Sequence, residues 1–95
     1  MAGVIPTSRE LAQPVVEALK RAFLLDDLGI HVERRNQVDD VAVWYEVSIL
    51  SHEEFVLLGR IAETTHAKVA VIPDDKSRMK VELRVNGRLR GARQA

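Results

Sequence analysis

The sequence contains no cysteine, which excludes a disulfide scaffold, a thiolate zinc site and a cysteine nucleophile. No apolar run approaches the ~20 residues of a membrane-spanning helix. The chain also shows no basic segment followed by an apolar core at its start. We therefore expect neither a membrane span nor a secretory signal. These absences are typical of a protein in a reducing cytoplasm.

An excess of one sign of charge is also lacking. The 14 basic and 14 acidic residues cancel, and 46% of the 95 residues are hydrophobic, which is typical of a soluble globular chain. A chain of this length has room for one core, so we predict a single domain over residues 1–89 and a flexible basic tail over 90–95. Residues 76–95 hold seven basic residues and one acidic residue. This segment either binds nucleic acid or an acidic partner, or is a basic strand beside an acidic surface.

The first predicted helix has apolar residues at every fourth position, which is the spacing of an amphipathic helix. Pro14 interrupts this pattern because it lacks the amide hydrogen that would bond to Glu10. The helix therefore begins either at Pro14, with proline in its first turn, or near Ser8 with a bend. Gly29 is expected to supply a left-handed cap after it. The residues of the apolar stripe are Leu11, Val15, Leu19 and Phe23.

The second predicted helix begins at a capping box formed by Ser51 and Glu54 and continues to about His66. Gly59 lies inside this helix, where glycine costs about 1 kcal/mol relative to alanine. The expected reason for this glycine is close packing on the first helix or on the sheet. The alternative is that Gly59 contacts another subunit.

Four further segments have the composition and alternation of β-strands. The second of them is the strongest, because apolar residues occupy every second position along it. Two clusters of turn-forming residues separate the strands of each pair. The predicted strands are 30–35, 41–50, 68–72 and 79–86, with turns at 36–40 and 73–77.

The order helix-strand-strand occurs twice, which predicts an α+β fold. One helix and one hairpin cannot cover each other completely, but two such units together form a two-layer sandwich. We expect α-β-β-α-β-β order and a four-stranded antiparallel sheet with two helices on one face. The longest strands, the second and the fourth, belong in the centre, so the predicted strand order is 1-2-4-3. The predicted core consists of Leu19, Phe23, Val43, Tyr45, Val47, Phe55, Leu58, Val81 and Leu83.

The motifs of enzymes and metal sites are absent from the sequence. Asp-Asp pairs at 26–27, 39–40 and 74–75 fall in predicted turns or at a helix end, where aspartate bonds to its own backbone. No calcium-loop spacing surrounds them, the three histidines are scattered, and no nucleophile elbow or phosphate-binding glycine run occurs. We therefore expect no catalytic activity, no cofactor and no metal ion.

Trp44 is the most informative residue, because the alternation of 41–50 places it on the sheet face that the helices leave open. An apolar centre with a charged rim is typical of a binding interface, and tryptophan and arginine contribute most to binding energy there. The alternative is that Trp44 only lies beneath the stems of neighbouring lysines and arginines. The candidate partner-binding residues are Trp44, Ala42, Glu46, Arg35, Ile72 and Arg84.

These observations favour a small non-enzymatic accessory or regulatory protein, of a bacterium or its phage, that binds a protein or itself through the open face. A homodimer is the simplest assembly. The alternative is a nucleic-acid-binding protein that uses the basic C-terminal strand and tail. That alternative has the charge but only one aromatic residue on the sheet face, where RNA-binding sheets usually offer two or three. Its candidate residues are Lys76, Arg78, Lys80, Arg88, Arg90 and Arg93.

Overall fold

A computed structural model of the chain describes residues 8–35, 38–74 and 77–86. The predicted tail at 90–95 and four candidate nucleic-acid contacts lie outside these residues, namely Lys76, Arg88, Arg90 and Arg93. The element order confirms the predicted α-β-β-α-β-β arrangement. The elements are α1 (Ser8–Phe23), β1 (Gly29–Arg35), β2 (Val38–Val47), α2 (His52–Thr65), β3 (Lys68–Pro73) and β4 (Met79–Asn86). Among the described residues, neither α1 nor α2 is long and apolar enough to cross a membrane.

The four strands form one antiparallel sheet in the order β1-β2-β4-β3, which confirms the predicted order. Val43 of β2 lies opposite Leu83 of β4, and Tyr45 lies opposite Val81. Residues that oppose each other across two strands share a face of the sheet, so these four form an apolar row on one side. α1 packs on β2 and β4, and α2 packs on α1 and β3. Both helices therefore cover the face that carries this row.

The hydrophobic core lies between that face and the helices. Most of the residues that were predicted to form the core belong to it. Phe23 and Val47 are half-buried and pack at the margin of the core. The leucines and valines at its centre are completely buried, so its stability depends on close packing. The buried core residues are Leu11, Ala12, Val15, Leu19, Val41, Val43, Tyr45, Leu58, Ile61, Val81, Leu83 and Val85.

Two predictions about α2 are wrong, although its capping box is confirmed by a 3.2 Å hydrogen bond from the Glu54 amide to Ser51 Oγ. Phe55 is 48% exposed rather than buried in the core, because Leu58 turns inward and Phe55 falls on the flank of the buried stripe. A Cβ built on Gly59 would meet nothing within 4 Å. Close packing within the chain therefore does not explain that glycine.

The end of α1 also differs from the prediction. The helix begins at Ser8 and contains Pro14, which decides between the two predicted starts. Leu24 adopts the left-handed conformation that follows the helix, with φ 52°. Gly29 is the first residue of β1, so the predicted left-handed cap at this position is wrong.

β2 begins at Val38 and ends at Val47, so Asp39 and Asp40 belong to the strand and not to the predicted turn. Arg34 explains the placement of Asp39, because Arg34 Nε donates a 2.9 Å hydrogen bond to Asp39 Oδ1 from the opposite position on β1. This hydrogen bond and the carboxylate charge raise the pKa of Arg34. The ion pair compensates for the poor fit of aspartate to a strand.

Candidate functional site

The open face is the side of the sheet opposite α1 and α2. Its members follow from the register, because Trp44 lies opposite Gly29 on β1 and Glu82 on β4. No helix of the described residues packs on this face. The register places these positions on the open face: Gly29, His31, Glu33, Arg35, Val38, Asp40, Ala42, Trp44, Glu46, Lys68, Ala70, Ile72, Lys80, Glu82, Arg84 and Asn86.

The Trp44 indole lies directly against the backbone of Gly29. A Cβ built on Gly29 would collide with Cε2, Nε1 and Cζ2 of Trp44, so only glycine leaves room for the ring. From β4, Lys80 places its Nζ 4.7 Å from the centroid of the Trp44 ring, within the range of a cation–π attraction. Trp44 thus lies beneath a lysine, as one interpretation of the sequence had it, but part of its surface remains exposed.

An ion-pair network occupies the centre of the open face around Glu82, which is only 8% exposed. Arg84 donates to Glu82 Oε1 from Nη2 at 3.0 Å and from Nε at 3.3 Å, while its Nη1 lies 3.4 Å from Asp40 Oδ2. Lys80 Nζ lies 3.8 Å from Glu82 Oε2. The hydrogen bonds to Glu82 raise the pKa of Arg84 against the lowering effect of burial, and the nearby carboxylates add to the rise. A buried carboxylate requires such partners, so this part of the face is satisfied within the chain.

A hollow of about 260 Å³ opens on the same face beside this network. Trp44, Ile72 and Pro73 form its apolar part, and Ile72 is 42% exposed. Charged side chains form the rest of the wall, so the composition is that of an interface with an apolar centre and a charged rim. The Trp44 hollow is lined by Trp44, Glu46, Ile72, Pro73, Asp74 and Lys80.

A second hollow, of about 300 Å³, lies at the opposite end of the open face. The residues that line it are of polar or charged types with both signs of charge, and they include the Arg84–Asp40 ion pair described above. In contrast to the Trp44 hollow, no apolar residue type is among the described residues that line it. The residues that line this second hollow are Asp40, His66, Lys68, Arg84 and Asn86.

The structure brings three of the six predicted partner-binding residues together at the Trp44 hollow. Ala42 lies on the open face but is only 2% exposed, so it offers almost no contact surface to a partner. Arg84 belongs to the ion-pair network, and Arg35 is the last residue of β1. The three residues that meet at the hollow are Trp44, Glu46 and Ile72.

The described candidates for nucleic-acid binding lie beside carboxylates. Arg78 Nη1 is 3.7 Å from Glu46 Oε2, and Lys80 is paired with Glu82 as described above. A phosphate would have to compete with these carboxylates for both cations. For the described residues 77–86, this arrangement agrees with a basic strand beside an acidic surface.

Gly29, Pro73 and Asp74 are the residues of this site that the sequence interpretation missed. Gly29 was expected as a helix cap, and Pro73 and Asp74 were expected in a turn. The available signal for Gly29 was the pairing of the first two strands, because an aromatic side chain often covers a glycine on a neighbouring strand. The predicted turn at 36–40 is longer than the observed connection, so it pairs the first two strands in a different register. A different register changes every cross-strand neighbour.

A cleft of about 450 Å³ lies on the other side of the sheet, between the end of α1 and the start of α2. Tyr45 contributes to its wall, although the side chain is almost completely buried. Its hydroxyl has no hydrogen-bond partner among the described residues. Burial, together with the negative charge of Glu54, raises the pKa of Tyr45 to about 12. The residues lining the cleft are Ala22, Phe23, Leu25, Tyr45, Val47, Ser51, Glu53, Glu54 and Leu57.

Tyr45→Phe is expected to raise the free energy of unfolding at neutral pH by about 1–2 kcal/mol, because it removes a buried hydroxyl without a partner. The unfolded chain releases the phenol proton near pH 10 and the folded chain near pH 12. Stability should therefore fall as the pH rises through this window, and the Phe variant should lose on the order of 2 kcal/mol less. Urea unfolding at several pH values measures both effects.

Tyr45 is the only tyrosine of the chain, so the absorbance of tyrosinate reports its ionisation directly. A folded-state pKa near 10 would contradict the burial of the hydroxyl. An equal loss of stability in both proteins above pH 10 would contradict the linkage to Tyr45.

Within the part of the chain that the structure describes, no three histidine, aspartate or glutamate side chains come together to hold a metal ion. The comparisons with known proteins add no assignment. No protein-family model, no curated protein and no solved structure matches the chain.

Proposed function

We propose that the chain is a small non-enzymatic accessory protein that binds a protein partner, or a second copy of itself, through the open face around Trp44. The observation that carries this proposal is the Trp44 hollow, where a partly exposed tryptophan and an exposed isoleucine share one wall. Tryptophan at the centre of a contact supplies a large rigid apolar surface and is enriched among the residues that dominate binding energy. Covering such a surface is favourable by about 25 cal/mol per Å² before the costs of association.

The geometry of Trp44 supports this role, because Gly29 and Lys80 hold the indole in place before any partner arrives. A side chain that is already ordered loses less conformational entropy on binding. The rim carries Glu46 and Asp74 on one hand and Lys80 on the other. The partner that fits is a protein surface with an apolar side chain for the hollow and charges of both signs around it.

Trp44→Ala is expected to weaken binding at the open face at least about tenfold and to leave the fold intact, because the side chain lies outside the core. Trp44 is the only tryptophan, so acrylamide quenching of its fluorescence reports how well the open face is covered. In the wild type, quenching should decrease as protein concentration rises if a second copy binds. A photo-crosslinking residue at position 72 should capture a protein partner, and Trp44→Ala should abolish the capture.

Ile49→Ala is the matched control, since it removes an apolar side chain that is 80% exposed but lies outside the open face. It should leave quenching and crosslinking unchanged. Unfolding of the Trp44→Ala monomer in far-ultraviolet dichroism would place Trp44 in the core and contradict the proposal. Capture of nucleic acid instead of protein at position 72 would favour the nucleic-acid alternative.

A further inference from the structure

The outer edge of β3 presents backbone groups that no other strand of the described sheet uses. The Asp74 amide donates a 2.8 Å hydrogen bond to the Arg78 carbonyl, which makes these two a hydrogen-bonded pair that continues the β3–β4 register. Such pairs alternate with pairs that exchange no hydrogen bonds. Even-numbered residues of β3 therefore bond to β4, and Val69 and Val71 direct their amide and carbonyl groups outward.

This edge lacks most features that keep an edge strand from pairing with another chain. β3 has the sequence Lys-Val-Ala-Val-Ile-Pro, with its one charge at the first residue and its proline at the last. Natural edge strands are usually protected by lysine, proline, bulges, inward-pointing charges or short length, and β3 carries lysine and proline only at its two ends. Here the register with β4 is continuous, and Val69 is 36% exposed. The free groups and the uncharged centre favour the addition of one more strand.

The flank of α2 beside this edge also has an apolar and open surface. Leu57 lines the cleft that α1 borders, so it marks the side of α2 that faces α1. Gly59 lies about 200° around the helix from Leu57, and Phe55 lies about 160° from it. Both residues thus face away from α1, and the buried stripe of α2 lies between Leu57 and this flank. Gly59 has open space before it, which is what the close approach of a second helix needs.

We infer that a second copy of the chain pairs antiparallel with β3 and brings its α2 against the Phe55–Gly59 flank. With Val71 opposite Val71 of the second copy, both residues exchange their outward amide and carbonyl groups. The same register sets Lys68 opposite Asp74 of the second copy on the open face, at both ends of the seam. The occupant is therefore a strand of complementary charge pattern, and a two-fold axis provides it from the chain itself.

This inference goes beyond the proposed function, because it concerns the edge of the sheet and not the Trp44 hollow. It also gives a reason for Gly59, whose cost of about 1 kcal/mol in a helix has no compensation within the described chain. Contact with another subunit was the alternative that the sequence offered for this residue. In the dimer the two helices approach closely where a larger side chain would hold them apart.

Val71→Pro tests the edge directly, because proline removes the outward amide and leaves the hydrogen bonds to β4 in place. Sedimentation should give twice the 10.7 kDa of one chain for the wild type. For Val71→Pro the dimer should be at least about tenfold weaker, since lost hydrogen bonds and a buried carbonyl without a partner both oppose association. Val71→Ala is the matched control, because it keeps the amide and should remain dimeric.

Gly59→Gln provides an independent test, because it should stabilise the monomer and weaken the dimer. Glutamine favours the helix, so the melting temperature of the dilute monomer should rise by a few degrees, while its bulk at the helix contact should weaken the dimer. This variant decides the question if Val71→Pro fails to fold. A wild type that stays monomeric at every concentration would overturn the inference. A dimer that survives both edge variants but is lost in Trp44→Ala would also overturn it and would support the open face as the self-association surface.

Discussion

Leu83→Ala is expected to lower the free energy of unfolding by about 2–5 kcal/mol. Leu83 is completely buried in the middle of β4, where it lies opposite Val43 of β2 and Val69 of β3. Removing its side chain costs the transfer energy of the lost carbon atoms and leaves a cavity among rigid, branched neighbours that cannot close it. Urea unfolding followed by far-ultraviolet dichroism measures the change.

Leu24→Ala is the control for this experiment, because Leu24 is 85% exposed. Its effect should remain within about 0.5 kcal/mol, the usual range for surface substitutions. A loss as small as this for Leu83→Ala would mean that β4 presents its other face to the helices. Glu82 and Arg84 would then lie in the core, and this result would contradict the fold described above.

The faces of the central strands could be predicted from the sequence because their pattern has one physical solution. Apolar residues at every second position of β2 and β4 can be buried together only on a single side of the sheet. The same pattern placed Trp44 on the other side. Strand length was sufficient to predict which strands lie at the edges, because short strands are tolerated there.

The errors occurred where a tertiary contact decides a local choice. Asp39 has the intrinsic preference of a turn residue, but its hydrogen bond to Arg34 holds it in a strand. Gly29 has the conformational freedom of a helix cap, but its actual requirement is space for the ring of Trp44. In both cases the partner lies on the neighbouring strand, and the propensity of a single residue carries no information about a cross-strand neighbour.

In the candidate site, too, the pattern of the sequence predicted the face of each residue but not its tertiary contacts. The sequence indicated which types of residue surround Trp44, because alternation fixes the face. It did not indicate that Glu82 would be buried and paired with Arg84, or that Ala42 would be covered. Burial on an open face depends on how long neighbouring side chains fold over each other, and no periodicity of the sequence records that.

The edge of β3 and the Trp44 hollow are adjacent, because Ile72 and Pro73 of β3 form part of the hollow. An antiparallel seam has its two-fold axis perpendicular to the sheet, so both open faces would lie on the same side of the dimer. The two hollows would then flank the seam. A partner with two apolar side chains would gain affinity by occupying both, since the second contact is made within the same complex.

Gly29→Ala is expected to destabilise the fold by about 1–3 kcal/mol, the usual cost of forcing additional atoms into a packed site. The new Cβ would collide with the indole of Trp44, so the ring must leave its place beneath Lys80. The sign of this change in stability is informative, because alanine is otherwise preferred to glycine in a strand by roughly 0.5–1 kcal/mol. Urea unfolding gives the loss of stability, and a red shift of the Trp44 fluorescence reports the displaced ring.

The double variant with Trp44→Ala isolates the contact, because a cycle of four proteins separates the coupling of two residues from their individual effects. Without the indole, Gly29→Ala should become neutral or stabilising, so the sign of its effect should reverse. The two residues would then be shown to form one unit in which the glycine provides space and the tryptophan provides the apolar surface. If Gly29→Ala destabilises equally in both backgrounds, then its cost arises from the backbone of β1, and Trp44 does not depend on Gly29 for its position on the open face.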